Sequence, residues 1–371
     1  MKLPVRVLQV VGIMNYGGAE TMIMNLYRNI DRSQVIFDFV VHGDDAGAFD
    51  QEISELGGKI YHCPKYKGYN HLTYVRWWKN FLRNHSEYKV IHGHIRSVAA
   101  IYLLIAKKYG RVTIAHSHST SNGHGLIALI KNVMQYPIRY IADYLFACSH
   151  DAGEWLFGKK ATKRDNYRII QNGIDINKYA FDLEIREEYR RKISAENRKV
   201  YIHVGRFHPA KNHEFLLNVF KELVRLDKNA ILLLLGDGPL KERIKGKIHF
   251  LNLQNNVIML GNREDVNNWL MAADLFLFPS CWEGFPMSII EAQASGIECL
   301  VSNTITREVA VTELVQFLPI TEGVEPWIKT ITSREKIRRS YKKNNKDKLE
   351  EFDMRSIAKD MQRYYEWVYN K

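Results

Sequence analysis

No Cys-x-x-Cys pair occurs in these 371 residues, and the four cysteines (Cys63, Cys148, Cys281, Cys299) stand far apart. That scatter excludes a zinc ribbon and a disulfide framework and fits a reducing compartment. No Asp-x-Asp pair occurs either, so the paired carboxylates that hold Mg²⁺ or Mn²⁺ against a diphosphate are missing. The longest apolar stretches, such as Val98–Ala106 and Ala230–Leu235, fall far short of the roughly 20 residues a membrane-spanning helix needs. Met1-Lys2-Leu3-Pro4-Val5-Arg6 runs straight into a strand with no signal-peptide core, so a cytoplasmic chain is expected.

What is abundant is positive charge. Lys and Arg outnumber Asp and Glu 53 to 41, for a formal net charge of +12. Basic residues concentrate in Arg334–Lys348 (REKIRRSYKKNNKDK). A solvated helix face, an anionic membrane surface and nucleic acid are the three readings of such a stretch. Aromatic-rich RNA-binding signatures and paired metal-binding Cys and His are absent, so no nucleic-acid partner is expected. Peripheral attachment to the inner face of a membrane is the functional reading kept. The 46% hydrophobic and 25% charged content is that of a folded globular protein, and the length calls for two domains.

Strand-like and helix-like segments alternate. Val5–Val11 reads as a strand, followed by a Gly17-Gly18 loop and a helix with Ile23, Leu26, Tyr27 and Ile30 on one face. Val35–Val41, Val90–His92, Val112–Ala115, Tyr144–Ala147 and Arg168–Ile170 continue the strand series. The charged stretch Asp182–Arg198, rich in helix formers, breaks the pattern, and the junction is placed just before it or within it. The pattern then restarts with Val200–Val204, a helix over His213–Arg225, and strands at Ile231–Leu235, Val257–Leu260 and Leu275–Phe278. In that helix Phe215, Leu216, Val219, Phe220 and Leu223 should face inward. The expectation is α/β: two Rossmann-like parallel-sheet domains over 1–181 and 182–355 facing a cleft, with a final helix, 356–371, returning to the first.

Four segments carry chemistry. Gly12–Glu20 follows a strand and opens a helix, but it does not spell G-x-G-x-x-G, and the second strand ends at His42 rather than at an acidic residue. A dinucleotide oxidoreductase is therefore excluded, while Gly17 and Gly18 still allow close backbone approach. Gly205-Arg206-Phe207-His208-Pro209-Ala210-Lys211-Asn212 presents two cations at a strand end, able to neutralise a diphosphate without a metal. Glu283-Gly284-Phe285-Pro286-Met287-Ser288-Ile289-Ile290-Glu291 places a glycine-bearing turn ahead of a helix start, where free N–H groups receive an anion. Glu291 lies about one turn inside that helix, within reach of a ribose. Histidines cluster at His92/His94 and His116/His118. Alternating His-x-His can serve a metal, yet no carboxylate or cysteine with ligand spacing accompanies it, so no metal is expected. Satisfied structural histidines are the plain reading, and contact of His116 with a hydroxyl-bearing ligand the functional one.

Together these segments closely resemble the family 4 retaining glycosyltransferases of the GT-B fold, most of all those of bacterial capsular and exopolysaccharide clusters. The resemblance rests on Glu283–Glu291, Val204-Gly205-Arg206 with Lys211-Asn212, Gly236-Asp237-Gly238-Pro239, Asn172-Gly173-Ile174-Asp175, Gly17-Gly18-Ala19-Glu20 and Ala115-His116-Ser117-His118. It implies that Arg206 and Lys211 hold the donor diphosphate, Glu291 the ribose and Glu283 the transferred sugar. The backbone from Phe285 through Pro286 and Met287 to Ser288 would cradle sugar and phosphate. Gly205 and Gly236–Pro239, including Asp237 and Gly238, would line the base and diphosphate. Gly17 and Gly18 would lie near the donor phosphate and acceptor, and His116 near the sugar's C6 hydroxyl. His118, His94 and Asn172 are further sugar or acceptor contacts. Pro286 departs from the family's usual glycine, and Glu298 from its usual proline.

The reaction implied is sugar transfer with retention from a nucleoside diphosphate sugar, UDP-linked by family habit, to a hydroxyl of a glycan or lipid-linked acceptor. No cofactor is implied. Alternatives are a non-catalytic nucleotide-sugar-binding subunit and a GT-B epimerase. A phosphorylase would need a pyridoxal phosphate lysine, for which no motif is found.

Overall fold

Ile231–Leu235 is five apolar residues in a row, all buried, which only a strand covered on both faces accommodates. Each such side chain contributes about 1.5–3 kcal/mol by leaving water. A computed structural model, describing residues 3–118, 126–334 and 347–371, divides the chain into two units built from such strands. Unit 1 is Met1–Gly173 with Asp353–Lys371, and unit 2 is Ile174–Phe352.

Unit 1 is a seven-stranded parallel sheet: β1 (Val5–Val10), β2 (Val35–His42), β3 (Ile60–Cys63), β4 (Val90–Gly93), β5 (Val112–Ser117), β6 (Tyr144–Ala147) and β7 (Tyr167–Ile169). Their order is β3-β2-β1-β4-β5-β6-β7. Alternate residues of β1 feed two cores. Val5 and Val7 pack with the helices Gly18–Asn29 and Met354–Asn370, while Leu8 and Val10 pack with His71–Asn84 and Ala99–Lys108. The one carboxylate in the middle of β2, Asp38, is fully buried and satisfied. Arg6 grips both its oxygens at 2.5 and 2.6 Å, and the carboxylate also accepts from the Tyr88 hydroxyl and the Lys59 N–H.

Unit 2 has six parallel strands: β8 (Val200–Val204), β9 (Ile231–Leu235), β10 (Val257–Gly261), β11 (Leu275–Phe278), β12 (Glu298–Ser302) and β13 (Val315–Leu318). Their order is β10-β9-β8-β11-β12-β13. In the helix His213–Leu226 the buried side chains include Leu216, Leu217, Val219, Phe220 and Leu223, while Phe215 is half-buried, edge-on to Trp327.

The charged stretch next to the expected junction is a packed element of unit 2. Asp182 caps the helix Leu183–Arg191 by accepting from the N–H groups of Glu184 and Ile185. Arg186 and Arg190 bind Asp274, just ahead of β11, and donate to nearby carbonyls. The division falls earlier than 181, after Gly173, because Ile174 and Ile176 bury themselves with Ile290 and Phe352 and the Ile174 N–H donates to the Phe352 carbonyl. Unit 1 resumes at Asp353 rather than 356, where the Asp353 carboxylate caps the last helix. Glu298 opens β12 and pairs with Arg334 at 2.8 Å. Residues 335–346 of the basic stretch lie outside the described residues. Among the described residues no helix is long and apolar enough to cross a membrane.

The order in which strands are added reverses once in each parallel sheet, between β1 and β4 in unit 1 and between β8 and β11 in unit 2. The crevice beyond the carboxyl ends at such a reversal is where open parallel sheets bind ligands.

Candidate active site

In unit 2, β8 and β11 run side by side and deliver two loops to one sheet edge. The loops are tied together. The Cys281 N–H donates to the Ala210 carbonyl at 2.7 Å, and the Asn212 side-chain amide donates to the Pro279 carbonyl at 3.2 Å. Lys211 Nζ lies 2.7 Å from Glu283 Oε1, with side-chain exposures of only 16% and 14%. The ammonium also sits 4.7 Å from the centre of the Phe278 ring. Arg206, two residues after the last position of β8, is exposed, and no carboxylate pairs with it among the described residues. The edge therefore offers one cation fixed by a carboxylate and one held in reserve for an anion.

A third loop, after β9, packs beneath the first through bare backbone. Gly236 has φ +136°, and a Cβ there would stand 2.2 Å from the Gly205 carbonyl oxygen. At Gly238 a Cβ would meet the Phe207 carbonyl oxygen at 2.6 Å. The Phe207 N–H donates to the Asp237 carbonyl. The Asp237 carboxylate is taken by Lys241 and by the Gly238 N–H, and Pro239 faces solvent.

After Glu283, the helix Met287–Ala294 starts behind Pro286 with no side-chain cap; the Ile289 N–H donates to the Pro286 carbonyl, while those of Met287 and Ser288 stay open to a ligand. Pro286 itself brings no N–H. Phe285 stacks on Phe352, and Met287 leans on the Ile174/Ile290 cluster, which seats the turn. Ser288 is half-buried. Glu291 is held by a residue that sequence reasoning missed, the Tyr179 hydroxyl. Burial raises the Glu291 pKa, while that hydroxyl and the Lys178 charge pull it down; burial and Glu291 push Tyr179 well above its usual value. The two glutamates thus have separate partners, Lys211 for Glu283 and Tyr179 for Glu291.

In unit 1, Gly17 is the N-cap of the helix Gly18–Asn29, again with no side-chain cap. In the same unit, the carboxyl ends of β1, β4 and β5 bring Gln9, His92, His94 and His116 together. The register Gln9↔His92 and Gly93↔Ala115 places all four on one face. His94 bonds to Gln9 Oε1 at 2.8 Å and to His118 Nε2 at 2.7 Å, and His92 to the Tyr365 hydroxyl at 2.7 Å. His116 stacks on His92 and on His118, and among the described residues neither of its ring nitrogens has a partner. Burial drives all four imidazoles down, His118 to about 3, so each is neutral at physiological pH. Asn172 lies apart at the end of unit 1, with its Oδ1 buried and without a partner among the described residues. Gln9 and Tyr365 carried no sequence signal, since Tyr365 meets His92 across 273 positions of chain.

Residues 16–178 match the family model described as Glycosyltransferase Family 4, and residues 185–348 the one described as Glycosyl transferases group 1. A putative glycosyltransferase EpsF of Bacillus subtilis (strain 168) is 38% identical over 335 residues, covering 88% of this chain and 86% of that one. The UDP-Gal:alpha-D-GlcNAc-diphosphoundecaprenol alpha-1,3-galactosyltransferase of Escherichia coli is 29% identical over 242 residues, covering 56% of this chain and 62% of the relative. Among solved structures, Anabaena Alr3699/HepE in complex with UDP superposes with a TM-score of 0.79 at 19% identity, over 97% of this chain and 99% of that one. At that identity the likeness speaks for the fold alone. A family model across each half and a relative of 38% identity along most of the length establish that this chain belongs to the family 4 glycosyltransferases, built on the GT-B fold.

Proposed function

We propose that the chain transfers a sugar from a UDP-sugar to a hydroxyl of a glycan or lipid-linked acceptor in cell-surface polysaccharide synthesis, with retention at the anomeric carbon. The diphosphate would be held by side-chain cations and amide dipoles, with no metal ion on it. The observation that carries this reading is the Lys211–Glu283 pair with the unpaired Arg206, where the strand order of unit 2 switches between β8 and β11.

Departure of the nucleotide builds negative charge on its diphosphate while the sugar becomes oxocarbenium-like. A lysine already fixed by Glu283, joined by Arg206 and the open N–H groups at Met287 and Ser288, meets that charge without reorganising. Glu283 keeps its second oxygen for a sugar hydroxyl, and so serves recognition rather than attack on the anomeric carbon. A leaving-phosphate oxygen then accepts the acceptor's proton on the same face. Glu291, oriented by Tyr179, would hold the ribose, and the loop Gly236–Pro239 the base. In unit 1, Gly17 and Gly18 would serve phosphate and acceptor, and the His116 ring N–H a sugar hydroxyl. The uridine donor and the lipid-linked acceptor draw support from what the relatives are named for, UDP in one and a diphosphoundecaprenol substrate in the other.

A panel of nucleotide sugars, screened first for thermal stabilisation and then for transfer to a lipid-linked acceptor in chelator, tests this directly. The anomeric configuration of the product is read by NMR. Transfer with inversion, or none without added metal, would overturn the reading. Free nucleotide with an epimerised sugar would make the chain an epimerase. Donor binding without turnover would make it a non-catalytic subunit.

A further inference from the structure

The absence of a carboxylate or cysteine near the His-x-His segments argued from sequence against a metal. The fold supplies a third histidine instead. One nitrogen each from His92, His94 and His116 come within 4.8 Å of one another, on neighbouring strand ends that leave little freedom to disperse. We infer that these three imidazoles form a binding site for a single divalent transition ion of the Zn²⁺ type.

The donor set selects the ion. Imidazole nitrogens without carboxylates suit Zn²⁺, Co²⁺ or Ni²⁺ and offer little to Mg²⁺ or Ca²⁺. Bond lengths of about 2.0–2.1 Å to tetrahedral zinc put ligand nitrogens roughly 3.4 Å apart, so the rings need to close by little more than 1 Å. The surroundings match what ligating histidines require, a partner on the far nitrogen that fixes the tautomer. The Gln9 side-chain carbonyl only accepts, so His94 Nε2 carries the proton and its Nδ1 holds the lone pair, now engaged by His118. The Tyr365 oxygen can accept from His92 Nδ1, leaving His92 Nε2 free, and among the described residues that nitrogen has no partner. His116 is 1% exposed with both nitrogens unmatched, an arrangement that costs free energy unless something fills it. An ion would use those lone pairs and displace a single existing contact, the His94–His118 bond.

Burial also keeps the rings neutral, the form in which an imidazole binds metal. Three protein ligands leave a fourth position open to water or to a substrate hydroxyl. The site belongs to unit 1 and takes no part in the diphosphate chemistry assigned to Arg206 and Lys211, so it stands whether or not the proposed transfer does.

The untagged full chain, stripped with chelator and dialysed, is titrated with Co²⁺ as a visible-absorption probe and with Zn²⁺ by calorimetry. One equivalent should bind, giving the intense bands of near-tetrahedral Co²⁺, which Zn²⁺ bleaches and Mg²⁺ does not. Gln9→Leu, which removes the group orienting His94 and a contact of Tyr365, should weaken Zn²⁺ by about 10–100-fold, and His116→Asn by more. Should those variants not fold by circular dichroism, X-ray absorption of the zinc-loaded wild-type chain decides, with three imidazoles in the first shell expected. Absence of stoichiometric binding, unchanged affinity in folded variants, or a first shell without three imidazoles would each overturn the inference.

Discussion

Replacing Lys211 with Met separates what its ion pair does for the fold from what it does for chemistry. The ammonium and the Glu283 carboxylate are 2.7 Å apart and mostly out of water, at 16% and 14% exposure. Breaking a fully buried pair from one side costs about 3–5 kcal/mol because a charge is left alone. With a sixth of each side chain still wet, a loss of about 2–3 kcal/mol is expected for Lys211→Met. Adding Glu283→Gln removes the stranded charge and should return roughly half of that loss. Turnover should behave differently. A single preorganised charge facing a developing anion is worth about 10²–10³ in kcat, or about 3–4 kcal/mol. Lys211→Met should therefore fall by that factor, and the double variant should recover stability while turnover stays low. Urea unfolding and nucleotide release, measured in one buffer, read the two effects side by side. Turnover within about threefold of wild type for Lys211→Met, or recovery of turnover together with stability in the double variant, would refute the assignment and leave the pair a purely structural clamp.

Four further outcomes follow from particular contacts. Gly236→Ala places a Cβ 2.2 Å from the Gly205 carbonyl at φ +136°, and should lower the urea midpoint by the equivalent of about 1–3 kcal/mol; an unchanged midpoint would show that the loops part easily. Tyr179→Phe takes from Glu291 a hydrogen bond worth about 1.5–3 kcal/mol, raising the donor KM about tenfold or more with a smaller change in kcat. Because that hydroxyl holds the Glu291 pKa down, the acid limb of kcat/KM should also move to higher pH, and an unmoved limb would separate Glu291 from donor binding. His213 is pushed down to about 4 by burial and the Lys211 charge, so its contribution to stability is whole above about pH 6.5 and is lost as pH falls toward 4. His213→Leu should consequently lose about 2 kcal/mol less than wild type between pH 7.5 and 5, whereas equal losses would remove His213 from the acid response. Flotation with anionic liposomes should fall when Arg338, Lys342 and Lys343 are neutralised, and unaltered flotation would rule the basic stretch out as a membrane contact.

The interior strands were legible because a run such as Leu275–Phe278 has no other stable use than burial between two helical layers. The edge strand Ile60–Cys63 was not, because it is four residues long and half-exposed, and its pattern resembles that of a loop. The packing of Asp182–Arg198 was hidden for a related reason: its arginines look solvated until Asp274, distant in sequence, is placed beneath them. Arg206, Lys211 and Glu283 stood out because charged residues between a strand and a helix have few structural uses, yet their arrangement did not. That Lys211 answers to Glu283 while Arg206 stays unpaired depends on β8 and β11 being neighbours, which sequence order conceals. The histidines show the same division. Two His-x-His pairs were visible, but their convergence needed the β4–β5 register, and their orienting partners sit on β1 and on the last helix.

That last helix, Met354–Asn370, has an outcome for biosynthesis. It covers the face of β1, β2 and β4, with Tyr365 fully buried, although some 180 residues of another unit are translated between Gly173 and Asp353. On the ribosome, unit 2 can therefore close while unit 1, begun first, waits with an apolar face bare to water or to a chaperone. Truncation before Met354 should accordingly harm the half of the protein made earliest.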